Sequence, residues 1–402
     1  MDILCLMGLF PENYRKEIEK DSISGMQNAA DKLQWAIVKG LSAIEGVRVS
    51  IVNSLYIGSY PRRYRKLMIP TFPFSAFGCV EGKNVGFCNL TGLKQLSRHS
   101  TAKKAVAEWA RTPCAEGEEK ALVIYALTVP FTKIAEFIKK KYPHIKVCVV
   151  VPDLPEYMRN GKEKEKFFYK VTKKESIRYI RRNLRDVDCY VLLTDTMKEW
   201  FKKPVKYTVV EGIAGAISET EETLVREKRI VYAGGISEAY GVVDLVKSFV
   251  RIDAPDWELV LYGDGNSMKV VQNLAADHPN VKVMGMRPNQ EVVAMQKKAS
   301  ILINPRKNQI FTRYSFPSKI LEYMSSGTAV MAYKLDGMPA EYDPYYYSIS
   351  EEENGLEKSL RMVMALTEEE RCQMGERARK FVAENKDPVS QCAKIVKLLA
   401  EV

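Results

Sequence analysis

Residues Ile303–Leu335 read INPRKNQIFTRYSFPSKILEYMSSGTAVMAYKL, and their pattern predicts the local fold. An apolar strand ends near Asn304, a polar loop follows, and a helix then runs towards Gly327 and a second apolar strand. Pro317 suits the first turn of that helix, and Gly327 suits the left-handed cap after its last turn. Because a helix here joins two strands, the stretch predicts one βαβ unit of a parallel sheet.

The same alternation of short apolar runs and helix-period segments extends through most of the chain. Strands are predicted at Ile3–Met7, Val47–Asn53, Leu122–Leu127, Ile145–Val151, Cys189–Thr194, Thr208–Glu211, Ile230–Ala233, Glu258–Tyr262, Val281–Met284, Ile301–Asn304 and Ala329–Tyr333. Strands that alternate with helices at this spacing indicate parallel sheets with crossover helices. We therefore predict an α/β fold of two Rossmann-like, doubly wound domains that face a central cleft.

The segment Gly212–Arg229 interrupts the alternation, since it is rich in small residues and then acidic and polar. The predicted parts are a first domain at 1–212, a linker at 213–228, a second domain at 229–384 and a final helix at 385–402. Asp387 and Pro388 suit the start of that helix, which is expected to pack back on the first domain.

The charge of the chain is uneven around a net value of +11 over 402 residues. Gly161–Arg185 holds ten Lys or Arg and three Glu, and a second basic segment, Arg62–Lys66, is interleaved with Tyr64. These segments are either ordinary solvated faces or surfaces for an anionic membrane or substrate. No recognised nucleic-acid-binding motif accompanies them, so nucleic acid is not an expected partner.

Other features predict a cytoplasmic protein. No apolar run approaches the ~20 residues of a membrane-spanning helix, and the N-terminus MDILCLMGLF lacks the pattern of a signal peptide. The eight cysteines form no Cys-x-x-Cys pair and are expected to be reduced.

The amino end of the helix near Pro317 is a candidate anion site. Free N–H groups and the helix dipole favour negative charge at such an end. Lys319 adds a full charge, while Arg306 and Arg313 lie in the preceding loop. We interpret Lys319 as a ligand of a diphosphate and Glu322 as an acceptor of ribose hydrogen bonds. The alternative is an ordinary Lys–Glu surface pair, worth a few tenths of a kcal/mol.

This stretch resembles the donor-binding element of family 4 (group 1) glycosyltransferases of the GT-B fold. It resembles in particular the branch that makes capsular, exo- or O-polysaccharides and carries NPR…YSFPSK…EYM.SGT. The likeness extends to VYAGG…YGVVDLV, LYGDG, VPDLPEYM and QNAADKLQWAIVKG. It implies that the first domain binds the acceptor and that the second binds a nucleotide-sugar donor.

The resemblance also implies a reaction. A hexose-type sugar would pass, with retention of its anomeric configuration, from a nucleoside diphosphate, expected to be UDP, to a glycan. The expected acceptor is linked to polyprenyl diphosphate, so the protein would work as a peripheral protein on the inner face of the cell membrane.

One departure from the family keeps other functions open. Many members carry two glutamates separated by seven residues in this element, and here Glu322 is the second while Tyr314 occupies the first position. A degenerate, non-enzymatic transferase that binds a glycan or a partner is therefore an alternative. An epimerase or a glycan phosphorylase of the same fold is another, although we find no lysine site for pyridoxal phosphate.

A second departure concerns positive charge. Many members carry an Arg and a Lys around the first turn of the second domain, where this chain has Gly235 and Tyr240. Arg306, Arg313 and Lys319 are expected to replace those charges.

The remaining donor-site candidates are Gly234, Gly235 and Ser318. The two glycines follow the first strand of the second domain, where glycine lets a backbone approach a phosphate closely. Ser318 lies at the start of the helix that carries Lys319, on the face of Glu322.

In the first domain, Asp153 lies between two prolines after a predicted strand. It is either a turn residue or a carboxylate that faces the sugar or the acceptor hydroxyl, and we group it with Lys319 and Arg306 as catalytic candidates. Gly8, Glu12 and Asn13, in the segment that follows the first strand, are expected to border the acceptor.

No metal or other cofactor is expected. Asp186-Val-Asp188 matches a metal motif in its letters only, because it ends a basic helix and enters a strand. Protein cations and helix dipoles would then stabilise the departing diphosphate.

Overall fold

The computed structural model describes residues 1–23, 25–114, 117–157, 167–215, 225–310 and 312–402, and at residues 167–172 it describes the backbone alone. The contacts divide the chain into two compact units. Unit 1 comprises Met1–Ile213 and Pro388–Val402, and unit 2 comprises Ala214–Asp387.

Unit 1 contains an eight-stranded sheet with helices around it. The strands of unit 1, eight in this sheet and two in a separate ribbon, are β1 (Asp2–Met7), β2 (Arg48–Asn53), β3 (Met68–Ile69), β4 (Phe72–Ala76), β5 (Val80–Asn84), β6 (Phe87–Cys88), β7 (Lys120–Tyr125), β8 (Lys146–Val151), β9 (Cys189–Leu192) and β10 (Tyr207–Val209). Its first five helices are α1 (Arg15–Asp21), α2 (Asn28–Ser42), α3 (Lys94–Arg111), α4 (Val129–Lys141) and α5 (Phe167–Arg182).

The strand order of this sheet is β10-β9-β8-β7-β1-β2-β5-β4. All neighbouring strands are parallel except β4 and β5, and β3 pairs with β6 in a separate antiparallel ribbon. Strands β1 and β7 are buried along their whole length, as expected for parallel strands covered on both faces.

The β4–β5 hairpin was not predicted from the sequence. Pro73 lies in β4, where it is tolerated because β4 is an edge strand. Gly82 weakens the strand pattern of β5, but the ring of Phe74 covers it, since a β-carbon there would lie 2.3 Å from the Phe74 Cζ. The three-residue turn between the strands places Phe77 and Gly78 at φ values of 53° and 72°, a left-handed conformation that glycine adopts readily and phenylalanine rarely.

Unit 2 contains a six-stranded, fully parallel sheet. Its strands are β11 (Glu227–Ala233), β12 (Glu258–Tyr262), β13 (Val281–Gly285), β14 (Ala299–Asn304), β15 (Ala329–Ala332) and β16 (Tyr347–Ser348). Its helices are α6 (Val242–Ile252), α7 (Met268–Ala275), α8 (Asn289–Lys298), α9 (Ser318–Ser325), α10 (Gly355–Ala365) and α11 (Glu368–Asn385). The order β13-β12-β11-β14-β15-β16 is that of a doubly wound sheet.

The final helix, α12 (Pro388–Ala400), belongs to unit 1. It packs on α2, where the Cys392 thiol donates to the carbonyl oxygen of Ile37 at 3.4 Å, and Ile395 and Leu399 are buried beside it. The predicted linker at 213–228 includes residues 216–224, which lie outside the described residues. At its start, the Ala214 N–H donates to the carbonyl oxygen of Lys386 at 2.8 Å.

Candidate functional site

The strand order of unit 2 reverses between β11 and β14. The chain leaves β11 towards β12 on one side and leaves β14 towards β15 on the other. In doubly wound sheets, a ligand crevice forms where the connections diverge in this way, at the carboxyl ends of the strands. Gly234 and Gly235 follow β11, and Arg306 lies two residues after β14, so these three candidates border one crevice.

The loop after β12 packs so closely on the loop after β11 that a glycine is needed at position 263. Gly263 has a φ of 129°, and a β-carbon there would lie 1.8 Å from the carbonyl oxygen of Gly234. The Gly234 N–H donates to the carbonyl oxygen of Tyr262 at 2.9 Å, and the Tyr232 hydroxyl donates to that of Gly235 at 2.8 Å. The glycine turn at the end of β11 is therefore held by β12 and by its own strand.

Arg306 is half-buried at the other side of the crevice. Its guanidinium carbon lies 5.4 Å from the centroid of the Tyr240 ring, within the range of a cation–π contact. Burial lowers the pKa of Arg306, and the nearby phenols of Tyr240 and Tyr232 act in the opposite direction. The group still carries its charge at neutral pH, because arginine does not deprotonate in proteins.

Helix α9 begins at Ser318, which is exposed, and no side chain of the described residues caps its amino end. The predicted cap at the other end is confirmed, since Gly327 has a φ of 73° and donates its N–H to the carbonyl oxygen of Met324 at 3.1 Å. The Tyr323 hydroxyl accepts the N–H of Ala233 at 2.9 Å, which ties the helix to the end of β11. The amino end of α9 is therefore fixed relative to the crevice.

Lys319 and Glu322 contact each other in this structure. The Lys319 Nζ lies 3.0 and 3.1 Å from the two carboxylate oxygens of Glu322. The Gln296 side chain donates a further hydrogen bond to Glu322 at 2.9 Å, and Gln296 itself is almost fully buried. The pair fits both interpretations from the sequence, a simple surface pair and a preformed donor site.

The loop before α9 carries Arg313 and Tyr314. Arg313 is exposed, and its guanidinium carbon lies 5.9 Å from the centroid of the Tyr314 ring. Tyr314, which occupies the position of the first family glutamate, ends a short 3-10 turn at Thr312–Tyr314.

In unit 1, Gly8 has a clear packing role at the end of β1. A β-carbon at Gly8 would lie 2.2 Å from the Tyr56 ring, and the Gly8 N–H donates to Gln34 Oε1 at 2.7 Å. The Tyr56 hydroxyl donates to the carbonyl oxygen of Tyr125 at 2.7 Å and accepts the N–H of Ala126 at 3.0 Å. Gly8 thus allows Tyr56 to join the ends of β1 and β7.

Glu12 and Asn13 lie on a 3-10 turn after β1, and both are exposed. Arg15 pairs with Glu12 at 3.3 Å, and the Asn13 amide donates to the carbonyl oxygen of Pro73 at 3.3 Å. These contacts leave both side chains at the surface, as an acceptor-binding role requires.

Asp153 follows β8 at the carboxyl edge of the same sheet. The residue reaches solvent, but partial burial of its carboxyl group raises its pKa to about 6. At neutral pH it is therefore mostly ionised and able to face a developing positive charge.

Two residues near the candidate site were not predicted from the sequence as functional, Gln296 and Tyr323. Gln296 reaches Glu322 from α8, 26 positions away, so no local pattern pointed to it. Tyr323 lies beside Glu322 in the quoted stretch, but its contact with the end of β11 spans 90 positions.

The part of the chain that the structure describes contains no group of three or more His, Cys, Asp or Glu arranged to hold a metal ion. Asp188 is engaged elsewhere, since it pairs with Lys139 at 2.9 Å and accepts the Val147 N–H at 2.7 Å. None of the described helices combines the length and apolar character needed to cross a membrane.

Comparison with known proteins supports the fold and one family. Residues 227–401 match the family described as "Glycosyl transferases group 1". An exopolysaccharide phosphotransferase, SCO2592 of Streptomyces coelicolor, is 27% identical over 170 residues, which make up 39% of this chain and 17% of that protein. The chain therefore matches only a small part of that relative's length.

Solved structures resemble the whole chain. Sucrose-phosphate synthase from Thermosynechococcus elongatus has a TM-score of 0.65 at 12% identity, over 100% of this chain and 99% of that chain. The catalytic domain of starch synthase IV from Arabidopsis thaliana, solved with ADP and acarbose, has a TM-score of 0.60 at 10% identity, over 100% and 99% of the two chains. The predicted GT-B fold class is confirmed by this likeness, and the polysaccharide branch stays a prediction.

Proposed function

We propose that the protein is a glycosyltransferase that uses a nucleoside-diphosphate sugar as donor. The observation that carries the proposal is the crevice of unit 2, where Gly234, Arg306 and the open amino end of α9 are brought to the carboxyl ends of β11 and β14. Phosphate groups bind readily at such helix ends and glycine turns. The group 1 match over residues 227–401 covers this same crevice, and the starch synthase of the same fold was solved with ADP.

Each candidate then has a role at the donor. Arg306, Arg313 and Lys319 bind the diphosphate, with the backbone of Gly234 and Gly235 close to it. Ser318 donates from the start of α9, where its exposed position suits a phosphate oxygen. Glu322, oriented by Gln296, accepts hydrogen bonds from the ribose.

The proposed reaction transfers a hexose-type sugar with retention of configuration. The bond between the anomeric carbon and the β-phosphate oxygen breaks, and the acceptor oxygen forms its bond on the same face of the sugar. The proton of the acceptor hydroxyl passes to the departing phosphate. Protein cations stabilise the charge on that phosphate without a metal. Asp153, mostly ionised at neutral pH, is the proposed carboxylate for the oxocarbenium-like sugar or the acceptor hydroxyl.

The proposed acceptor is a glycan linked to polyprenyl diphosphate, used to build a surface polysaccharide. Gly8, Glu12 and Asn13 border its site in unit 1. The name of the Streptomyces relative, an exopolysaccharide phosphotransferase, is consistent with this kind of pathway.

Thermal melts with a panel of nucleotide sugars test the proposed function. UDP-, GDP-, ADP- and dTDP-sugars are each added, and the correct donor should stabilise the protein by about 2.7 kcal/mol at 100 times its Kd. Nucleotide release with a lipid-linked glycan pool should then persist in EDTA. No shift with any donor contradicts the proposed function, and a loss of release that Mg²⁺ or Mn²⁺ restores contradicts the metal-free mechanism alone.

We also propose that unit 1 binds an anionic membrane on the inner face of the cell, through a surface defined here as the basic face. Its cations are Arg62, Arg63, Arg65 and Lys66, all exposed, and Lys66 also pairs with Asp21 at 3.0 Å. Its exposed apolar residues are Ile23, Leu67, Met68, Leu90, Leu93 and Leu96. Such a combination of cations and apolar side chains suits an anionic bilayer.

Backbone contacts join the segments of the basic face. The Ile23 N–H donates to the carbonyl oxygen of Arg63 at 3.0 Å, and the Asn89 N–H donates to that of Leu67 at 2.7 Å. Tyr64, expected among the exposed cations, is instead fully buried beneath them, because it packs in an apolar cluster with Phe10 and Ile18. In the other basic segment, Gly161–Arg185, residues 161–166 lie outside the described residues.

Replacing Arg62, Arg63 and Arg65 with glutamine is expected to weaken binding to anionic vesicles on the order of 100-fold at low salt. Each near-surface cation contributes about 1 kcal/mol, and salt screens the attraction. Cosedimentation with vesicles containing anionic lipid measures this effect. A variant with the same change of charge on unit 2, at the exposed Lys247, Lys269 and Lys380, serves as the control. Equal binding of the wild type to neutral vesicles contradicts the proposal.

A further inference from the structure

The loop after β11 contains no cation, although it borders the crevice of unit 2. It reads GGISEAYG from Gly234 to Gly241, and Glu238 is its charged residue. The loop after β14, across the same crevice, carries Arg306. The way Arg306 is held relative to the glycine turn is therefore one determinant of how strongly the crevice attracts an anion, beside Arg313 and Lys319.

The ring of Tyr240 lies next to both the Arg306 guanidinium and the glycine turn. The guanidinium carbon of Arg306 is 5.4 Å from the ring centroid, which is the geometry of a cation–π contact. On the glycine side, a β-carbon at Gly235 would lie 2.9 Å from the Tyr240 Cε2. Gly235 thus leaves room for the ring, and the ring in turn lies between the glycine turn and the guanidinium.

Two contacts hold together the loops that carry these side chains. The Gln309 side chain donates to the carbonyl oxygen of Ala239 at 3.0 Å. Gly241 lies directly against Pro305, since a β-carbon there would be 2.0 Å from the Pro305 carbonyl oxygen. Ala239 and Gly241 flank Tyr240, and Pro305 precedes Arg306, so the two side chains are anchored to each other through the main chain.

We propose that Tyr240 is a positioning residue for Arg306, and that it holds the guanidinium over the glycine turn to bind the diphosphate of a nucleoside diphosphate. This inference rests on the proposed function, because the diphosphate belongs to the donor. Arg306 is half-buried, so water screens its charge less than that of an exposed cation. Its planar fork of donors also suits bidentate contact with phosphate oxygens.

A double-mutant cycle on Tyr240 and Arg306 tests the proposal. Titration calorimetry measures the affinity for UDP, GDP, ADP and dTDP and for the matching monophosphates, and the nucleotide bound most tightly by the wild type is used throughout. Arg306→Ala should lower the ratio of diphosphate to monophosphate affinity by about 10- to 100-fold, as expected for the loss of a charged hydrogen-bonding group. Tyr240→Leu should lower the same ratio by about threefold to tenfold.

Further variants distinguish a positioning role of Tyr240 from a general loss of protein stability. Tyr240→Phe keeps the ring and should retain the wild-type ratio, and Tyr240→Leu should have no further effect in the Arg306→Ala background. Lys334→Ala removes a cation beyond the neighbouring strand β15, one that pairs with Asp343, and should leave the ratio unchanged. Thermal melts confirm that each variant is folded.

Two results overturn the proposal. One is an equal loss of diphosphate and monophosphate affinity in Tyr240→Leu, and the other is a full additional loss in the Arg306→Ala background. A failure of the proposed function looks different, since the wild type itself would then bind no nucleoside diphosphate.

Discussion

Replacing Lys319 with alanine is expected to lower kcat by roughly 10²- to 10³-fold, the usual cost of losing one preorganised electrostatic stabiliser. Negative charge grows on the departing diphosphate as the sugar–phosphate bond breaks, so the Lys319 charge matters most in the transition state. Its side chain is about two-fifths exposed, and its ammonium nitrogen lies 3.0 Å from a carboxylate oxygen of Glu322. The group is therefore accessible to a ligand and already oriented.

Glu322→Gln is expected to act differently, by raising the donor KM and weakening binding of the nucleotide product. Ribose hydrogen bonds are much the same in the ground state and the transition state, so their loss changes binding more than turnover. The substitution keeps an oxygen for the hydrogen bond from Gln296, so the helix face should retain its local structure.

Steady-state kinetics on both variants, with thermal melts as a check on folding, distinguish the two interpretations of this pair. If Lys319 and Glu322 only pair with each other on the helix surface, each change should cost a few tenths of a kcal/mol in stability and leave the kinetics nearly unchanged. Lys334→Ala, which breaks another exposed pair in unit 2, is the matched control. Turnover near that of the wild type in Lys319→Ala would remove the central residue of the proposed donor site.

Much of the fold could be predicted because its strands are nearly continuous apolar runs. Strand β12 was predicted at its observed bounds, Glu258–Tyr262, and β14 was predicted two residues shorter than the observed Ala299–Asn304. The β4–β5 hairpin could not be predicted in the same way. Its partners lie at a sheet edge, and its stability comes from a cross-strand contact of Phe74 with Gly82 rather than from a local pattern.

In the candidate site too, features set by adjacent residues could be predicted, whereas contacts between residues distant in sequence could not. The start of α9 and the cap at Gly327 follow from residues adjacent in sequence. The contact between Tyr240 and Arg306 spans two loops on neighbouring strands. The sequence drew attention to Tyr240 only as a position without positive charge, whereas the structure places its ring against a cation.

Gly241→Ala is expected to destabilise unit 2 by about 2–4 kcal/mol and to weaken diphosphate binding along with it. The residue has a φ of 76°, which costs an alanine about 1 kcal/mol or more. A β-carbon would also lie 2.0 Å from the Pro305 carbonyl oxygen. No rotamer change can relieve a clash between two backbones, so one of the loops must move, at a cost typical of overpacking, about 1–3 kcal/mol.

Gly285→Ala isolates the cost of placing an alanine at a positive φ. Gly285 has a φ of 68°, but nothing lies within 4 Å of the position a β-carbon would take. Chemical denaturation should therefore show a loss of about 1 kcal/mol for Gly285→Ala, with diphosphate affinity retained. In Gly241→Ala the greater loss of stability should come with a loss of affinity, because Pro305 directly precedes Arg306. Equal destabilisation of the two variants, or an unchanged affinity in Gly241→Ala, would mean that the contact between these loops does not position the guanidinium.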